Sequence, residues 1–121
     1  MTLPVEPVRT LRPWGWFETL AEGEGYRVKR LLISRGQRIS LQRHHHRSEH
    51  WVVAAGQGVL TLDAQQLPLE PGAQWAIPLG AVHRAMAQQQ DLEIIEVQRG
   101  AWLSEDDIER LADDFGRCAS K

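Results

Sequence analysis

Apolar and polar residues alternate along most of this chain in short runs cut by glycine and proline, the period-two signature of strands with one buried face. Tyr26 to Ser34 (YRVKRLLIS) predicts a strand, and Arg35-Gly36-Gln37 turns the chain. Ile39 to His44 and Glu49 to Ala55 predict a strand pair. Gly56-Gln57-Gly58 is a tight turn, and Val59 to Leu62 with Gln65 to Leu69 form a hairpin through Asp63-Ala64. Gln74 to Ile77, His83 to Ala87 and Leu92 to Gln98 complete the set, separated by Pro71-Gly72, Pro78-Leu79-Gly80 and a polar loop. Many short strands punctuated in this way predict an all-β fold, an antiparallel sandwich or barrel over residues 26–99.

The flanks break the pattern. Residues 1–25 carry prolines at 4, 7 and 13 and read as an extended N-terminal arm, because proline lacks the N–H and fixes φ. Trp14, Trp16 and Phe17 in that arm are expected to pack across the sheet or onto a second subunit. Ser104 precedes three acids and then Ile108, Leu111, Ala112 and Phe115 at helical spacing. That predicts a short C-terminal helix over 104–115, with Ser104 as its cap. The whole chain, 1–121, reads as a single domain.

The central strand pair also carries chemistry. Gln42 to Gly56 reads QRHHHRSEHWVVAAG and holds four of the five histidines, together with Glu49. Alternation places Gln42 and His44 on one face, and beyond the polar corner Arg47-Ser48 it groups Glu49, Trp51 and Val53. Pointed inward, Gln42, His44 and Glu49 converge, and His83 is the candidate for a fourth metal ligand. The plainer alternative is a solvated polar turn. Lys29 and Arg30 fall on opposite faces of their strand, so one of them points toward the interior.

Composition narrows the partners. A net charge of −2 argues against nucleic acid. No apolar run approaches a membrane span, and MTLPVEPVRT does not read as a signal peptide. The single cysteine, Cys118, cannot form an internal disulfide, which agrees with a reducing cytoplasm.

Two motifs then point to a family. Gln42-x-His44-x4-Glu49-x6-Gly56 and Gly72-x5-Pro78-x-Gly80-x2-His83 resemble the paired motifs of the cupin superfamily, small β-barrels whose motifs bring metal ligands to the interior. Gln42 stands where those proteins usually have histidine, and Ala87 where asparagine is common. Gln-x-His with a glutamate and a later histidine resembles the zinc site of phosphomannose isomerases. RPWGWF, YRVKRLLIS, HHHRSEHW, IPLGAVHR, LEIIEVQ and EDDIERLADDFGR are similar to the C-terminal cupin domain of type II phosphomannose isomerases, from about Arg12 to Arg117.

The resemblance implies a cupin jelly-roll (double-stranded β-helix) barrel acting as a stand-alone domain, without the nucleotidyltransferase half such proteins commonly carry. It implies interconversion of mannose 6-phosphate and fructose 6-phosphate through an enediol(ate). A divalent ion at Gln42, His44, Glu49 and His83 would assist as a Lewis acid: zinc first, with Mn, Ni, Co or Fe also compatible. The proton-transfer base is left open among Lys29, His46, His50 and Glu96. Arg30, Arg43 and Arg84, with Lys29, are the candidates for the substrate phosphate. A cytoplasmic homodimer is expected. A non-catalytic sugar- or sugar-phosphate-binding cupin is the principal alternative, and a cupin-type metal-dependent oxygenase is a third.

Overall fold

The computed structural model describes residues 8–117; Pro4 and Pro7 of the expected arm, and Cys118, lie outside the described residues. The described chain is all-β. Its strands are β1 (Arg9–Arg12), β2 (Gly15–Gly23), β3 (Tyr26–Ile33), β4 (Leu41–Arg43), β5 (Ser48–Ala55), β6 (Gly58–Leu62), β7 (Gln65–Leu69), β8 (Gln74–Ile77), β9 (His83–Ala87), β10 (Leu92–Arg99) and β11 (Glu109–Ala112). One sheet has the order β1-β2-β3-β10-β5-β8 and the other β11-β4-β9-β6-β7, and the paired strands run antiparallel. Among the described residues no helix is long and apolar enough to cross a membrane.

Strand register sorts the inward side chains by polarity. Ile94 on β10 lies between Leu31 and Val53, and Leu92 lies opposite Ile33. These meet Leu60, Leu69 and Ala85 of the second sheet in a buried apolar core. Each large aliphatic side chain buried there stabilises the fold by about 1.5–3 kcal/mol. Two residues further along β10 the inward position is Glu96, between Lys29 and Trp51, and then Gln98, opposite Glu49. Gln42 faces His83 across the β4–β9 pair. One end of the interior is therefore hydrocarbon and the other is polar, and alternation along the strands dictates both.

The turns are tuned to this arrangement. Asp63 adopts φ 49° in the β6–β7 hairpin, a left-handed conformation that aspartate tolerates better than most residues. A Cβ at Gly100 would lie 2.2 Å from the His46 carbonyl oxygen, so only glycine lets the chain after β10 pass beneath the histidine loop.

The aromatic arm is part of the barrel. Its residues 9–12 and 15–23 form β1 and β2, and Trp14 and Phe17 are buried in the chain's own core.

The helix expected over 104–115 is not present. Ser104 does cap, its hydroxyl accepting the Asp106 N–H at 3.0 Å, but it caps a single turn. The chain then extends into β11, which pairs with β4. A dozen residues make a marginal helix without tertiary support. Here the open edge of β4 and the anchoring of Asp107 offer more. Arg84 fixes the join by donating to the Ile39 carbonyl at 2.9 Å and the Ala112 carbonyl at 3.3 Å.

Candidate metal centre

His44 follows β4, Glu49 lies on β5 and His83 opens β9, so three separate segments each bring one side chain to the polar end of the interior. All three are buried, and their ligand-type atoms lie within 4.8 Å of one another. His44 Nε2 is 3.1 Å from Glu49 Oε2, and His83 Nε2 is 3.7 Å from Glu49 Oε1.

The ring tautomers follow from the neighbours. His44 Nδ1 lies 2.6 Å from the Asp107 carbonyl oxygen, and His83 Nδ1 lies 2.9 Å from that of Ala81. A carbonyl only accepts, so both Nδ1 atoms carry the proton and donate. In the neutral rings both Nε2 lone pairs then face the shared point, the usual arrangement of a metal-ligating histidine. Among the described residues His83 Nε2 is buried without a hydrogen-bond partner, which is unfavourable for a polar atom unless a ligand completes it.

The protonation states suit a cation. Burial is the main reason the His83 pKa falls, so the ring is neutral at pH 7. Burial alone would raise the Glu49 carboxyl. The positive charge of Arg47 beside it, with the neighbouring His44 and His83, outweighs burial and holds Glu49 well below the usual carboxylate range. Two imidazoles and a carboxylate at these separations form a set that could hold a divalent metal ion. Gln42 extends the set: its Nε2 lies 3.3 Å from His44 Nε2, while its Oε1 accepts the Ser40 hydroxyl at 2.6 Å. A half-turn of the terminal amide would exchange these atoms and offer an oxygen ligand.

Around the centre runs a support shell. Trp51 Nε1 donates to Glu49 Oε1 at 2.9 Å. Arg47, buried at the polar corner, donates from Nε to Glu49 Oε2 at 2.8 Å, and its Nη2 lies 2.8 Å from that oxygen and 3.2 Å from His44 Nε2. The Asp107 carboxylate accepts the backbone N–H groups of His45 and His46, both at 2.9 Å, while the Asp107 carbonyl holds the His44 ring. Burial opposes ionisation of Asp107, but these N–H donors and His46 lower its pKa.

Asp107→Asn keeps the volume and turns one acceptor into a donor facing an N–H. It is expected to cost about 1–3 kcal/mol of stability at pH 7 and to weaken zinc binding about 10- to 100-fold. Thermal melts and zinc titration measure the two effects. The contribution is present above the ordinary aspartate pKa of 3.8 and is lost as pH falls through the lower folded value, so the two melting curves should converge in acid.

A cavity of about 60 Å³ adjoins the centre, reached by His44, Gln42, Arg47, Lys29 and Glu96. It shares Arg12, Glu105, Ile108, Arg110 and Arg117 with a wider basin of about 490 Å³, which Asp106 also borders. Lys29 is buried, with Nζ 2.9 Å from Glu105 Oε2 and 3.8 Å from the Phe17 ring centroid. Glu96 is buried and accepts the Gln98 amide N–H at 2.7 Å. Burial is the main cause that pushes its pKa up to about 7, with the charge of Glu49 adding to it.

The other sequence candidates are placed elsewhere. His50 is exposed on the outer face of β5 beside Gln74, and His46 is half-exposed against Asp107 with its ring edge-on to Trp102. Arg30 pairs with Glu18 and Glu93, and Arg43 pairs with Glu109. With Arg84 committed to backbone carbonyls, none of the three arginines borders the cavity. Arg47 and Asp107 were not candidates from sequence, because both lie in turns where alternation gives no direction. The local signal for Arg47 was its position two residues before Glu49.

The family model described as "Mannose-6-phosphate isomerase C-terminal" matches residues 6–113. The alginate biosynthesis protein AlgA of Pseudomonas aeruginosa is 46% identical over 109 residues, which cover 89% of this chain and 23% of that protein. The mannose-1-phosphate guanylyltransferase of Escherichia coli is 43% identical over 107 residues, 88% of this chain and 22% of that protein. The chain thus spans under a quarter of the length of these two relatives. Among solved structures, the capsular polysaccharide assembling protein CapF of Staphylococcus aureus superposes with a TM-score of 0.76 at 17% identity, covering 88% of this chain and 34% of that one. The Schizosaccharomyces pombe Cnp3 cupin domain does so with a TM-score of 0.69 at 12% identity, covering 75% and 68%. These likenesses bear out the cupin fold.

Proposed function

The chain belongs to the family of mannose-6-phosphate isomerase C-terminal domains, and on that basis we propose that it is a cytoplasmic, metal-dependent aldose–ketose isomerase acting on mannose 6-phosphate. The observation that carries this reading is the pairing of a buried carboxylic acid poised near neutral pH, Glu96, with a ligand set of His44, Glu49 and His83 beside the same cavity.

A divalent ion held by these ligands and Gln42 supplies Lewis-acid stabilisation of the oxyanion that develops during enolisation. The chain's own groups do the rest. Glu96, as carboxylate, takes the proton from C2 of the open-chain aldose and returns it to C1, and the enediol hydroxyl protons redistribute between O1 and O2. A pKa of about 7 leaves comparable amounts of base and conjugate acid, which suits a group that must both accept and return a proton. Lys29 stands opposite Glu96 across the strand pair and offers an N–H donor to a sugar oxygen. Arg12 and Arg110 border the outer basin and offer the phosphate positive charge; Arg117 there is already paired with Asp113, as Arg30 and Arg43 are with their own carboxylates.

The test is a coupled assay for fructose 6-phosphate formed from mannose 6-phosphate by zinc-loaded protein. Turnover that a chelator removes and zinc restores is expected. Metal-loaded protein that binds the sugar phosphate without turning it over would instead identify a binding module.

A further inference from the structure

Two of the three ligand groups, His44 and Glu49, are already met by a cation of the chain's own. His44 Nε2 and Glu49 Oε2 sit 3.1 Å apart, and a neutral ring with its proton on Nδ1 sets lone pair against lone pair there. Arg47 relieves that conflict. Its Nη2 reaches both atoms, at 3.2 and 2.8 Å, and its Nε makes a second bond to the same glutamate oxygen. The guanidinium is buried, and the charges of Glu49 and Glu96 outweigh the burial that would otherwise lower its pKa. A divalent ion would need these same lone pairs and would bring a second positive charge against the fork. Both cannot be held at once by groups this buried.

We propose that Arg47 is the metal centre's internal stand-in: its guanidinium holds His44 and Glu49 together in the metal-free chain and must withdraw before a divalent ion can bind. The inference rests on the metal-centre reading and adds an exchange to it. The withdrawn fork has acceptors on the cavity side. Nη1 already lies 3.3 Å from the Ser104 carbonyl oxygen, and Glu96 and Glu105 are the further carboxylates acting on it. Loading the metal therefore delivers an arginine toward the cavity where an anionic sugar would lie. In the metal-free state the same residue keeps the ligands preorganised and Glu49 paired.

Zinc affinity, measured by competition with a chromogenic chelator, separates the possibilities when combined with melting of the metal-free and zinc-loaded forms. The proteins compared are the wild type, Arg47→Leu, Arg47→Lys and His83→Ala. Arg47→Leu removes the competitor, so zinc should bind at least tenfold more tightly. The metal-free form should melt lower, because Glu49 loses its cation. The rise in melting temperature on adding zinc should then exceed that of the wild type. Arg47→Lys has no fork to span both atoms and should fall between the two. If Arg47→Leu does not fold, a Lys variant that binds zinc more tightly than the wild type carries the same conclusion. Wild type that binds zinc, with equal or weaker binding in both Arg47 variants, would overturn the stand-in and leave the metal centre intact. No zinc in any of these proteins would remove the metal centre and the exchange with it.

Discussion

Alanine at position 83 is expected to strip the protein of its metal while leaving the barrel folded. His83 is fully buried, yet among the described residues its Nε2 has no hydrogen-bond partner, while its Nδ1 meets the Ala81 carbonyl. Removing the ring leaves one carbonyl and a cavity beside Trp51, whose ring centroid lies 5.8 Å away. Metal-free stability should fall by an amount at the low end of the about 2–5 kcal/mol seen for large-to-alanine changes in cores. Zinc affinity should fall by more than the ~10- to 100-fold that follows loss of a group supporting a ligand. His44→Ala should lose zinc to a similar degree and lose more stability. It also frees the Asp107 carbonyl and takes away one of the two groups that Arg47 Nη2 reaches. Elemental analysis after exhaustive dialysis, with circular-dichroism melts, reads both quantities.

Replacing Glu96 with glutamine should separate activity from stability. As the proton-transfer base, Glu96 must be ionised, so kcat/KM for mannose 6-phosphate should rise with pH through about 7 in the wild type. The glutamine variant should turn over about 10²- to 10⁴-fold more slowly and lose that limb of the profile. Stability moves the other way. A carboxyl whose folded pKa stands above its ordinary 4.5 favours the folded state in its protonated form. That contribution is fully present below pH 4.5 and is lost as pH rises through about 7. Glutamine mimics the protonated acid, so the metal-free variant should melt above the wild type at pH 8 and alongside it at pH 4. A gain in stability bought by loss of turnover marks a group held in a costly state for chemistry.

The barrel was legible because its information is local and periodic. Glu49, Trp51 and Val53 alternate with His50 and Val52, and the first three are buried. Lys29 and Glu96 follow from the same rule: each continues the inward row that begins with Ile33 or Leu92, so the register that builds the apolar core also fills its polar end. The convergence of His44, Glu49 and His83 needed something beyond alternation, the spacing of two motifs that strand pairing brings together.

What stayed hidden was set by long-range pairing. Ile108, Leu111, Ala112 and Phe115 keep helical spacing, but the fate of that segment is decided by Asp107 reaching His45 and His46, about sixty positions earlier in the chain, and by the free edge of β4. Arg30, Arg43 and Arg84 are near the motifs in sequence, yet each is consumed by a carboxylate or a carbonyl that sequence does not reveal. Arg12, Arg110 and Arg117 are far from the motifs in sequence, and they border the basin because β1, β11 and the segment after β11 come together there.

The most direct measurement is a crystal of zinc-loaded protein recorded on both sides of the zinc absorption edge. One anomalous peak is expected within about 2.0–2.2 Å of His44 Nε2, His83 Nε2 and a Glu49 oxygen, with the Gln42 amide turned toward it. The absence of any peak there, with Arg47 still bonded to Glu49 and His44 at saturating zinc, would contradict the metal centre on which the proposed chemistry depends.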